Sequence, residues 1–186
     1  LVNAGDIFAR SIKKEYDKVE ATEKGNVSNF LDNVKLPKPI KKPNKSPFTT
    51  SKDEIYGDYK ITQTDGSGTG NKKYFKYSVQ LKNVPLFETN SLDQARTALK
   101  YLYGKNAEPN FTNDDLYSKN VPDNFVQDVK DARNYAVDGI IPESFKIDPT
   151  QTPEYKQAVN DLNKAIGGQL NMGVNIPIKP LVTITK

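Results

Sequence analysis

Over residues 59–62 and again over 74–81 apolar and polar side chains alternate, and from residue 91 the spacing changes to threes and fours. This change of period constrains the chain more than any other feature, because a strand and a helix turn different residues inward. Tyr59 and Ile61 alternate with Lys60 and Thr62 as in a half-buried strand. In a second strand Phe75, Tyr77, Val79 and Leu81 share the core face, and Lys72, Tyr74, Lys76 and Ser78 share the other. Val84, Leu86 and Phe87 suggest a third, short strand, which Pro85 confines to an edge. Ser91 then caps a helix and Gln94 completes a capping box. Leu92, Ala95, Leu99 and Leu102, widened by Ala98, form the stripe that covers the strands, and Gly104 is expected to end the helix. The expected fold class is α+β: a small antiparallel sheet, hairpin plus edge strand, packed by an amphipathic helix, with peripheral helices and extended arms.

The connection between the first two strands contains Gly66, Gly68 and Gly70. A phosphate-cradling loop needs glycine followed directly by Lys and Ser or Thr at the entrance to a helix. Here Gly70 is followed by Asn71, Lys72 and Lys73 and then by a strand, so the turn reads as a mobile tip. Asp65 and its neighbours also lack the spacing of a calcium loop.

Five segments follow from this core unit: 1–34 helical, 35–50 a Lys/Pro-rich arm, 51–104 the hairpin, strand and helix, 105–172 helical, and 173–186 an extended tail. In the first, Asn3 caps a helix whose stripe is Ala4, Phe8, Ile12, Tyr16 and Val19, and Gly25 is the expected stop. A second short helix is expected over 27–34. The stripe can dock on its own domain or on a partner subunit. In the arm, Pro37, Pro39, Pro43 and Pro47 favour polyproline II, while Lys35, Lys38, Lys41, Lys42 and Lys45 keep it extended and wet. Thr112 with Asp115, Pro122, and Thr152 with Pro153 mark three later helix starts, and Gly139 and Gly167 mark stops. Ile140, Ile141, Phe145 and Ile147 are expected to pin an irregular segment to the core. The tail alternates around Pro177 and Pro180, and 181–186 suits strand addition.

The chain has 186 residues, 35% of them hydrophobic, 12 prolines and a formal net charge of +4. That composition supports a modest core with long surface segments. The basic side is nearly all lysine, with arginine only at Arg10, Arg96 and Arg133. Lysine suits diffuse contact with phosphate, whereas arginine suits bidentate recognition. With no cysteine and no histidine, disulfides, thiolate chemistry and the usual zinc sites are excluded. Nothing brings Asp and Glu together as a hydrolytic pair, so no enzyme, cofactor or metal is expected. No run approaches a membrane span and no signal peptide is read. The first residue is leucine, as in a processed or trimmed chain.

These features point to a structural or assembly protein of a large complex that binds other subunits, identical or different, through extended arms. The bias to Lys, Asn, Ile and Tyr over Arg and His accompanies AT-rich genomes, which makes a phage or viral virion one expected setting and the cytoplasm the other. The candidate interface residues are Phe8, Ile12, Tyr16, Ile176, Ile178, Leu181, Val182 and Ile184. The alternative is a basic nucleic-acid-binding accessory protein that uses Lys38, Lys41, Lys42 and Lys45 of the arm with Lys72, Tyr74 and Lys76 of the strand face.

Overall fold

The computed structural model describes residues 3–43, 52–66 and 74–167, which fall into two units: residues 27–144, and residues 1–26 with 145–186. The glycine-rich tip over 67–73, Lys45, and the tail residues Ile176, Ile178, Leu181, Val182 and Ile184 lie outside the described residues.

The first helix, α1, is Ala4–Asp32 without a break. Its start is as expected, since the Asp6 N–H donates to Asn3 Oδ1 at 2.8 Å. The expected stop at Gly25 and second helix over 27–34 are corrected: the glycine lies inside one continuous helix. The apolar phase explains this. Val19, Glu23, Val27 and Leu31 follow one another at four-residue spacing and all are buried. An interior glycine costs about 1 kcal/mol against alanine. Burying Val27 and Leu31 returns about 1.5–3 kcal/mol each.

The unit formed by residues 27–144 is built on a five-stranded antiparallel meander: β1 (Ile40–Pro43), β2 (Lys52–Tyr56), β3 (Tyr59–Gly66), β4 (Tyr74–Leu81) and β5 (Val84–Thr89), in that spatial order. The expected hairpin and edge strand are β3, β4 and β5. β1 and β2 extend the sheet on the far side, so part of the Lys/Pro arm is a strand. Gly57, at φ +61°, takes the first central position of the β2–β3 turn, where type II′ geometry asks for glycine. Lys82 and Asn83 both have positive φ in the β4–β5 turn, the type I′ pattern met here without glycine. Between β4 and β5 the register shifts at Val79/Gln80, beside Pro85. That bulge suits an edge strand in which proline cannot donate to the ladder.

One face of the sheet carries Tyr59, Ile61, Val79 and Leu81, none more than 2% exposed. The helix α2, Leu92–Lys105, lies against β3 and β4 and buries Ala95, Ala98, Leu99, Tyr101 and Leu102. Ser91 caps it by accepting the Gln94 N–H, and the Gln94 side chain reaches the N–H of Asn90, one residue before the cap. Tyr59 donates its hydroxyl to the Asn106 carbonyl at the other end of α2. Gly104 does not end the helix, which continues to Lys105. A Cβ at 104 would stand 2.5 Å from Val34 Cγ2 and 2.7 Å from Phe30 Cζ, so this glycine permits close approach of α1.

Two further helices, α3 (Asn113–Tyr117) and α4 (Asp123–Asp138), complete this unit and both touch β5. Thr112 and Asp115 form the expected capping box, and Gly139 closes α4 in left-handed geometry. Ile141 is buried as expected, but Ile140 is 42% exposed and pins nothing.

In the other unit the last helix, α5 (Pro153–Ile166), starts at the Thr152 cap and packs Tyr155, Ala158 and Val159 against Phe8, Ile12 and Tyr16 of α1. Glu23 is 8% exposed and accepts the Ile147 N–H at 2.9 Å, which satisfies an acid set among apolar positions. Lys18 and Glu154 add an exposed ion pair at 3.6 Å.

Candidate interaction surface

Among the described residues β1 pairs with β2 alone and ends the sheet. All four of its residues, Ile40, Lys41, Lys42 and Pro43, are exposed. The cross-strand register sets Ile40 opposite Ile55, Lys41 opposite Glu54 and Lys42 opposite Asp53. With side chains alternating along each strand, Ile40, Lys42, Asp53 and Ile55 share the sheet face away from α2. Lys41, Glu54 and Tyr56 share the face toward it.

Beyond its ladder with β3, β2 is anchored by a carboxylate that the sequence did not single out. Arg96 on α2 grips Glu54 with both arms of its guanidinium: Nη2 to Oε1 at 2.5 Å and Nε to Oε2 at 3.1 Å. Tyr56 donates its hydroxyl to Oε2 at 2.9 Å. The Arg96 hydrogen bonds hold the Glu54 carboxyl below its ordinary range against the opposing effect of burial. Burial first, and the neighbouring carboxylate second, push the Tyr56 hydroxyl up. Reading K-D-E-I-Y as a strand would have put Glu54 and Tyr56 on one side, but no local pattern links them to an arginine 42 residues away.

On the face away from α2, the β1–β2 edge and the turns at Gly57 and Asn83 frame an open groove of about 550 Å³. Lys60 crosses it, donating to Asn83 Oδ1 at 2.7 Å and lying 4.0 Å from Asp53 Oδ2. Asp53 Oδ1 is buried there without a hydrogen-bond partner. Lys82 turns away to donate to the Phe111 carbonyl.

The residues expected to meet nucleic acid are only partly brought together. Lys76 is exposed on β4 and pairs with Glu88 of β5 at 3.6 Å. Its neighbour Ser78 is 3% exposed, so the middle of this face offers no open platform to a base. Tyr74 begins β4, but its side chain, like Lys72, lies outside the described residues. Lys38, Lys41 and Lys42 are exposed along the arm. Of the expected interface residues, Ile12 and Tyr16 are 2% and 6% exposed and pack with Phe8 on α5, the domain-internal destination of that stripe.

Among the described residues no helix is long and apolar enough to cross a membrane, and no group of three or more acidic side chains is placed to hold a metal ion. No family model matches the chain, no curated protein is similar to it, and no solved structure matches its fold.

Proposed function

We propose that the chain is a non-enzymatic assembly protein of a large complex, such as a phage or viral virion, and that it binds neighbouring subunits through its extended segments. The observation that carries this reading is the β1 edge, a strand exposed at every residue at the open end of a sheet whose other end is covered by helices. The nucleic-acid alternative draws less support, because Lys76, the member of its strand face whose side chain is described, is paired with Glu88.

The test compares amide exchange in the isolated chain and in the native complex from which it is purified. Residues 35–43 should gain protection in the complex, and the same measurement over 173–186 tests the tail. Equal exchange in both states would sink the reading. A steep loss of partner affinity with salt, with DNA or RNA co-purifying, would favour the alternative.

A further inference from the structure

We infer that the open edge of β1 docks an acidic, extended segment of another protein, which adds to the sheet as a sixth strand. The inference rests on the assembly reading and names the partner's chemistry. Because β1 ends the sheet, its outer main-chain groups have no ladder partner among the described residues. Such an edge is a template for strand addition.

Charge selects the strand. Residues 33–52 include Lys35, Lys38, Lys41, Lys42, Lys45 and Lys52 and no acid. Of the acids opposite β1, Glu54 is gripped by Arg96 and Tyr56 and feels the charge of Lys41 as well, and Asp53 Oδ2 lies 4.0 Å from Lys60. Lys35, Lys38, Lys41 and Lys42 are exposed and close no ion pair among the described residues. Two β1 edges brought together would set lysine near lysine, so the edge discourages a second copy of itself. The segment 168–186 carries Lys179 and Lys186 and no acid, and fits no better. An acidic strand reverses the sign. Ile40, 58% exposed beside Ile55, adds an apolar contact. The matching partner sets an apolar residue opposite Ile40 and two consecutive acids opposite Lys41 and Lys42, one acid on each face. A nucleic acid would use the lysines but leave Ile40 and the ladder groups unmet.

The test titrates the full chain with a blocked eight-residue peptide, Val-Glu-Glu-Val-Val-Glu-Glu-Val, followed through amide resonances. Saturable shifts are expected at Ile40, Lys41 and Lys42. Combining Lys41→Gln with Lys42→Gln should weaken binding about fivefold to tenfold, with resonances elsewhere unchanged to show that the variant is folded. The same peptide N-methylated at alternate residues keeps its charge, loses the ladder, and should not bind. Equal binding of the methylated peptide, of a Lys/Val peptide, or of a DNA duplex at the same amides would overturn the inference, as would self-association through β1. If the peptide fails to bind while another segment gains protection in the native complex, the acidic-strand inference falls and the assembly reading stands. If nothing gains protection, both fall.

Discussion

At one end of the sheet β5 is shielded: α3 and α4 lie against it, Pro85 interrupts its hydrogen-bonding edge and a bulge shifts its register. At the other end β1 has, among the described residues, neither helix nor bulge, and exposed lysines where β5 has buried Val84 and Thr89. A sheet edge left open is an aggregation hazard, and proteins blunt it with charge, proline or cover. Here cover protects one edge, while charge and a terminal proline guard the other. The difference matters because cover excludes every partner, whereas charge excludes only partners of like sign. β1 is also tied to the body by different means, through the polar grip of Arg96 on Glu54 and not through an apolar face of its own.

That contrast can be broken by experiment. The largest effect is expected from Glu54→Ala, which leaves Arg96 and Tyr56 without their shared acceptor. Urea unfolding should show a loss of about 2–3 kcal/mol, and amides of β1 and β2 should exchange faster than those of β5. Equal acceleration at both edges would mean that the ion pair supports the whole sheet. Gly104→Ala, which drives a methyl into Phe30 and Val34, should cost about 1–3 kcal/mol; it lies where α2 meets α1 and should affect the two edges alike.

Acid should separate the edges a second time. The Glu54 carboxyl sits below its ordinary value of 4.5 when folded. Its contribution to stability is therefore complete above that ordinary value and is lost as pH falls through the lowered one. In a titration followed by amide spectra, β1 and β2 resonances should broaden or shift below about pH 4 before those of β5, and simultaneous loss would remove the distinction. The smallest effect is a gain. Gly25 sits inside α1 with open space around its missing Cβ, so Gly25→Ala should stabilise by about 0.5–1 kcal/mol without changing either edge.

Much of the fold was legible where local rules and tertiary packing agree. β3, β4 and α2 follow from alternation, the change of period and the Ser91 cap, and α3, α4 and α5 follow from their caps and stops. β1 and β2 were not legible because their sequences are proline-marked or charged, and their pairing is fixed by partners across the sheet. Glycine misled twice for one reason. Gly25 and Gly104 were read as helix stops, but what a glycine does depends on its neighbours in space. At 25 the apolar phase carries the helix through, and at 104 another helix comes too close for a side chain. Of the candidate surface, the arm lysines were visible in the sequence. Glu54 with its partner Arg96 was not, since a buried carboxylate is recognised only by the donor that satisfies it.

The hydrogen bond from Ile147 to Glu23 spans 124 residues. The α1 stripe of Phe8, Ile12 and Tyr16 meets its cover only when α5 exists. On a ribosome adding about 5–20 residues each second, that stripe leaves the exit tunnel roughly 7–30 seconds before its partner does. The sheet, whose strands are consecutive neighbours, can close in the meantime. The nascent chain therefore passes through a stage with a half-built unit and a bare amphipathic helix, which is when a chaperone would find something to hold.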